Sequence, residues 1–274
     1  MQPLSRIFND QFNIKMDLNL KNKVILVTGG ARGIGAAIVK VLASEGAVPV
    51  IVGKDEDDNL KMLEEIKILS PDSIQIKAEL TKPEECASAV KIAAERYGRM
   101  DGLVNNAGVN DGIGLEKGTY EEFMLSLHRN VVHYFLMTQG CLPFLKQSGG
   151  SIVNITSKVA ETGQGNTSAY AAATGGRNAL TREWAVELLP FGVRVNAIVV
   201  SECYTPLYEY WVNTFPDPQA KLNEITRKIP LGKRMTKPEE IANTAVFLLS
   251  DRSSHTTGQL IHVDGGYVHL DRAL

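Results

Sequence analysis

Apolar residues fall along this chain in short, unbroken runs separated by longer stretches of helical period. The runs "KVILV" (23–27), "VPVIV" (48–52), "IQIKA" (74–78), "GLVN" (102–105), "SIVNI" (151–155), "VRVNAI" (193–198) and "LIHV" (260–263) favour Val and Ile. They lack the strict alternation of a strand with one wet face, so they predict strands buried on both faces. Between the first two, "GAAIVKVLASEG" (35–46) has apolar residues at helical spacing and ends on Gly46, a helix stop signal. Strand and helix in alternation, with short connections, predict an α/β fold. Its mostly parallel, doubly wound sheet has seven strands, helices on both faces and right-handed crossovers. Residues 1–20 precede the pattern and read as an N-terminal arm, leaving 21–274 as a single domain. The stretch 201–235 carries Pro206, Pro216, Pro218 and Pro230 and exceeds an ordinary connection, which predicts a binding loop or lid.

Composition narrows the class without changing this picture. With 274 residues, 44% hydrophobic and 22% charged, the chain suits one large globular domain. A net charge of −2 argues against nucleic acid or an anionic membrane as partner. No apolar run approaches the roughly 18 residues of a membrane span. The start "MQPLSRIFNDQFNIK" also lacks a signal-peptide core, so a cytoplasmic location is expected. Cys86, Cys141 and Cys203 are odd in number and scattered, which predicts reduced, buried thiols. The five histidines show no metal-ligand spacing and Cys-x-x-Cys is absent, so no metal site is expected.

Candidate chemistry begins at "VTGGARGIG", between the first strand and the first helix. Glycines there permit a tight turn and bring backbone N–H groups up to a pyrophosphate at the helix N-terminus. The spacing Thr-Gly-x-x-x-Gly-x-Gly at 28–35 has companions in order: "NNAG" (105–108), Asn130, Ser157, Tyr170 thirteen residues later, and "VDGG" (263–266). This ordered set resembles the short-chain dehydrogenase/reductase family over about residues 20–270. The resemblance implies a Rossmann-type fold and a nicotinamide cofactor held by Thr28, Gly29, Arg32, Gly33, Ile34, Gly35, Lys54, Glu79, Leu80, Asn106, Ala107, Gly108, Tyr170, Thr174 and Thr205. At the end of the second strand, "IVGKD" offers Gly53 and Lys54 where an acidic residue would select NAD. With Arg32 as a second cation, NADP is the expected preference and NAD remains possible, since Asp55 and Glu56 lie close by.

The resemblance also implies a reacting centre. Tyr170 exchanges a proton with the substrate oxygen, Ser157 holds that oxygen, and Asn130 anchors a water leading to solvent. A lysine one helical turn after the tyrosine normally binds the ribose and favours the phenolate. Here that position is Thr174. A free tyrosine titrates near 10, and a cation about 5 Å away at an effective dielectric of about 20 contributes about 3 kcal/mol. Losing it lowers the phenolate fraction about a hundredfold, so reduced activity is expected. Lys158 and Arg177 are the two nearby cations available to compensate. An enzyme of reduced activity, a dinucleotide-binding sensor or scaffold without turnover, and a short-chain reductase for a different polar carbonyl substrate all fit the sequence.

For the substrate, the loops at 109–112 and 158–168 supply Asn110, Asp111, Ser157, Glu161, Gln164 and Asn166, a polar wall suited to a polyhydroxylated ligand. The 201–235 excursion adds Trp211 among Tyr204, Tyr208, Tyr210 and Phe215. The stretches "NNAGVNDGIGLE", "ALTREWAVEL", "TPLYEYW" and "VDGGYVHLDRAL" look like bacterial L-fucose dehydrogenases of the family. This implies oxidation of the anomeric hydroxyl of a 6-deoxy sugar to a lactone. It also implies a homotetramer with 119–146, 168–189 and the C-terminal strand region at its interfaces. One further departure is "AIVVSECYTP" (197–206), which has Val200 and Ser201 where the family has Pro-Gly.

Overall fold

A computed structural model describes residues 16–270 of the chain. Every run read as a strand is one. The strands are β1 (Val24–Thr28), β2 (Val48–Gly53), β3 (Ile74–Lys77), β4 (Gly102–Asn105), β5 (Ser151–Ser157), β6 (Arg194–Val200) and β7 (Leu260–Val263). They form one seven-stranded sheet in the order β3-β2-β1-β4-β5-β6-β7, every pair parallel. Successive side chains on a strand point to opposite faces, and the core divides accordingly. Ile25, Val27, Ile51 and Val104 face α1 (Gly33–Ser44), α2 (Glu56–Ile66) and α9 (Pro238–Leu249). Val24, Leu26, Val50 and Leu103 face α3 (Pro83–Tyr97), α5 (His133–Ser148) and α6 (Ser168–Glu187). Both faces are covered, which is why the strands read as unbroken apolar runs.

Helix ends follow local chemistry. Thr119 caps α4 (Tyr120–Leu127) by accepting from the Glu122 amide while Glu122 reaches back to the Thr119 amide. The helix α1 stops at Ser44, and Gly46 follows in the left-handed region at φ +77°. The N-terminal arm needs a correction at its inner end. Residues 1–15 lie outside the described residues, but Leu18 and Leu20 pack into the core and Leu20 is only 1% exposed. The excursion holds two short helices, α7 (Pro206–Val212) and α8 (Pro218–Thr226). Its base is closed by a bridge between Cys203 and Thr236 and by the Leu231 amide donating to the Gly265 carbonyl (2.9 Å).

Candidate active site

The strand order reverses direction between β1 and β4, and a crevice opens at such a point beyond the carboxyl ends of the strands. The turns after these two strands are tied together there. Thr28 Oγ1 accepts from the Asn106 and Ala107 amides (2.9 and 3.1 Å), and Asn106 Nδ2 donates to the Thr28 carbonyl (2.9 Å). A β-carbon on Gly35 would stand 2.1 Å from the Gly29 carbonyl oxygen, so this turn folds only with glycine at 35. Arg32 precedes α1 without a side-chain cap, leaving the first amides of the helix to a ligand. Thr205, the N-cap of α7, lies over the same turn, with its methyl 3.4 Å from where a β-carbon on Gly33 would be. An uncapped helix N-terminus and a glycine cradle fit a dinucleotide pyrophosphate, while the Thr205 hydroxyl accepts from the Tyr208 amide (3.3 Å). Ile34 and Leu80 pack into the two halves of the core, which aligns the backbone around them.

Around the residues expected at the adenosine end the structure alters the charge count. Arg32 pairs with Asp58 on α2, and Asp55 caps α2 by accepting from the Asp58 amide (3.1 Å). A carboxylate therefore stands beside the cation that the sequence presented as free. A β-carbon at position 53 would stand 2.6 Å from Asn59 Oδ1, so a side chain there would displace Asn59. Asn59 is fully buried and donates to the Gly53 carbonyl (2.9 Å). Lys54 is exposed. Glu79 Oε1 accepts from the amide and hydroxyl of Thr81 (3.2 and 3.1 Å), so it is held in the turn after β3.

The residues expected at the reacting centre gather on β5, α6 and a break between α4 and α5. Residues His128–Val132 form a π-helical turn, a local widening frequent at functional sites. Asn130 sits inside it, fully buried. Its Oδ1 accepts from the Val109 amide (2.8 Å) and from Arg177 Nη2 (3.2 Å), and its Nδ2 donates to Ser126 Oγ (3.3 Å). Its carbonyl accepts from Arg177 Nε. Ser157 ends β5, half-buried, with Oγ accepting from the Val159 amide (3.3 Å) and its O–H left to donate elsewhere. Tyr170 lies half-buried in the first turn of α6. Thr174 is fully buried, and its hydroxyl donates back to the Tyr170 and Ala171 carbonyls (2.9 and 3.2 Å). That hydroxyl is spent on its own helix. His133, beside Arg177, is held neutral, its pKa pushed down to about 3 by burial and then by that cation.

The two candidate rescuers part company. Lys158 is paired with Glu202 and lies 4.0 Å from the Tyr267 ring centre, and Tyr208 donates to the other Glu202 oxygen (2.8 Å). Its charge is thus matched at the foot of the excursion. Burial and the Glu202 carboxylate push the Tyr208 phenol well above its usual range. The polar wall is only partly assembled. The loops meet where the Ala169 amide donates to the Ile113 carbonyl (3.3 Å) and Gly114 abuts Asn166. Asn110 and Gln164 are exposed, and Asn110 Oδ1 accepts from the Gly112 amide (3.3 Å). Asp111 turns toward α4, accepting from Ser126 Oγ (2.8 Å). Trp211 is half-exposed between the edges of Tyr208 and Phe215.

Glu161 leaves the wall. Its carboxylate meets His262 Nε2 at 3.0 Å, and with Asn178, Arg182 and His269 it lines a separate cavity of about 630 Å³. Among the described residues, Glu161, His262 and His269 form the one ligating trio whose donor atoms lie within 4.8 Å of each other. The three cysteines are free and buried, and burial raises their thiols to about 11 for Cys86 and about 12 for Cys141 and Cys203.

A family model described as enoyl-(acyl carrier protein) reductase matches residues 29–268. The chain belongs to the short-chain dehydrogenase/reductase family. The L-fucose dehydrogenase of Bos taurus is 36% identical over 92% of this chain and 91% of its own length. The 3-oxoacyl-(acyl-carrier-protein) reductase FabG of Thermotoga maritima is 36% identical over 92% and 100%. The crystal structure of Cj0485 dehydrogenase aligns with a TM-score of 0.91 at 48% identity, covering 94% of this chain and 99% of that one. L-sorbose reductase of Gluconobacter frateurii, solved with NADPH and L-sorbose, aligns with a TM-score of 0.89 at 25% identity, over 93% and 100%.

This member of the family is a pyridine-nucleotide-dependent dehydrogenase or reductase. Three features of its site have no sequence signal of their own. The π-turn around Asn130 adds a residue to a helix without changing residue type. The Arg32–Asp58 pair depends on where the first turn of α2 falls. Arg177 was visible as a cation, but its grip on Asn130 depends on the packing of α6 against that π-turn.

Proposed function

We propose that this short-chain dehydrogenase oxidises a sugar hydroxyl, that of L-fucose or a close relative, to the corresponding carbonyl, a lactone at the anomeric carbon. The observation that carries the reading is Ser157 and Tyr170 on adjoining elements, β5 and α6, beyond the carboxyl edge of the sheet. When bound, a nicotinamide dinucleotide supplies the hydride acceptor. Thr28, Gly29, Arg32, Gly33, Ile34, Gly35, Asn106, Ala107, Gly108 and Thr205 would hold it, and Lys54, Glu79 and Leu80 would border its adenosine end. Ser157 donates its free O–H to the substrate oxygen, and Tyr170 takes the hydroxyl proton as the carbonyl forms. Asn130 fixes the 109 amide and so sets the loop that meets the sugar. Asn110, Gln164, Asn166 and Trp211 form the outer contacts.

The L-fucose dehydrogenases among the relatives and the sugar-bound structural neighbour support a polar substrate. NADP is the preferred form, read by Lys54 and by Arg32 released from Asp58, and NAD is also accepted. The protein works as a cytoplasmic homotetramer. Reduced-nicotinamide formation with L-fucose, L-galactose and D-arabinose tests the reading, and cofactor binding without turnover on any of them overturns it. A second reading, a dinucleotide-binding protein without turnover, draws on the Thr174 hydroxyl being committed to its own helix.

A further inference from the structure

Arg177 is buried, with 3% of its surface exposed, yet no carboxylate among the described residues forms an ion pair with it. Its hydrogen bonds all end on neutral oxygens: Nε on the Asn130 carbonyl, Nη1 on the Ile155 carbonyl (3.2 Å) and Nη2 on Asn130 Oδ1 (3.2 Å). The guanidinium carbon lies 4.4 Å from the Tyr134 ring centre and 5.8 Å from that of Tyr170. Nη2 also presses on the "NNAG" turn, 2.7 Å from where a β-carbon on Gly108 would stand. Desolvated charge of this kind is costly unless a counter-charge appears nearby. Neither of two close neighbours provides one. His133 is held neutral, and Tyr134 donates its hydroxyl to the Ile155 carbonyl (2.8 Å) in a setting that burial makes hostile to its anion. Tyr170 remains.

We infer that Arg177 supplies, from one helical turn further along α6, the fixed positive charge that a lysine at position 174 brings to the tyrosine in this family. The inference rests on the dehydrogenase reading above. Helical side chains lean toward the N-terminus, so a long side chain at 177 covers the turn that holds Thr174. Thr174 is short and bonded back to its own helix, which leaves that space to the guanidinium. Arg177 is a positioning residue. It acts through Tyr170 and ties α6, β5, the π-turn and the "NNAG" turn into one unit. Its Nε and Nη2 donate to the carbonyl and side-chain oxygens of Asn130, and because a guanidinium does not give up a proton, Arg177 supplies charge and relays none.

The test compares full-length wild type, Arg177→Met, Arg177→Lys and Thr174→Lys/Arg177→Met on the sugar panel, with thermal unfolding and cofactor titration for each. Arg177→Met is expected to lower kcat about a hundredfold while cofactor affinity stays within about threefold. Arg177→Lys and the double variant are each expected to recover at least about tenfold of that loss, because each returns a cation without restoring the fork of hydrogen bonds. Unchanged kcat in folded Arg177→Met overturns the inference while leaving the dehydrogenase reading intact. So does a folded, cofactor-binding double variant that stays as slow as Arg177→Met, since Arg177 is then merely structural. Should Arg177→Met fail to fold, Thr174→Lys alone decides. A gain of about a hundredfold means the charge was missing and overturns the inference, and a gain below about tenfold supports it. Absence of turnover in wild type sinks the dehydrogenase reading, and the inference with it.

Discussion

Tyr170, the proposed proton acceptor, is half-buried in the first turn of α6, its ring centre 5.8 Å from a guanidinium that forms no ion pair among the described residues. Tyr170→Phe removes the proton acceptor and keeps the ring. It should lower kcat by about 10²–10⁴, far more than it weakens cofactor binding, which steady-state kinetics and fluorescence titration check together. Asp58→Asn addresses the adenosine end. Releasing Arg32 from its partner should raise the NADP-over-NAD ratio of kcat/KM, by about two- to fivefold given the exposure of Arg32. Residue by residue, the site was legible where backbone geometry dictates residue type. Gly35 is one such case, because no side chain fits against the Gly29 carbonyl. It was not legible where a long side chain chooses among partners. Arg32 reached Asp58, Glu161 reached His262, and Lys158 reached Glu202.

The most informative element is the joint between α4 and α5. The π-turn His128–Val132 buries Asn130 and sets His133 against Arg177. In the fold His133 stays neutral down to about pH 3, whereas in the unfolded chain a histidine takes up its proton near 6.5. Between these values the unfolded state binds more protons, so stability is full above about pH 6.5 and falls as pH drops toward 3. The contribution is about 1.4 kcal/mol per pH unit at full slope. His133→Gln should flatten the fall in Tm between about pH 6.5 and pH 4, measured by thermal denaturation. A Tm profile for His133→Gln as steep as that of wild type contradicts this assignment. Strands were legible as elements because burial on both faces leaves an unbroken apolar run. The π-turn was not, since one inserted residue leaves no change of period long enough to read.

At the scale of the molecule, β7 ends the sheet, and helix surfaces remain apolar after folding. Phe135 on α5 is 46% exposed and Val186 on α6 is 67% exposed. Both lie in the stretches expected at tetramer interfaces. Light scattering should therefore report four copies, and Phe135→Glu should reduce that number; a monomeric wild type contradicts the assembly. No helix among the described residues is long and apolar enough to cross a membrane. The seven-stranded, doubly wound parallel sheet followed from the alternation of runs, because parallel strands need crossover helices that cover both faces. Where the excursion folds back was hidden, since the Cys203–Thr236 bridge joins positions far apart in the chain. The central claim is that this chain transfers hydride from a sugar with Tyr170 as its proton acceptor. The most direct test is the rate of reduced-nicotinamide formation from L-fucose by wild type and by Tyr170→Phe. Steady turnover by wild type and a loss of about 10²–10⁴ in the variant are expected. Equal rates in the two proteins, or none in wild type despite bound cofactor, contradict it.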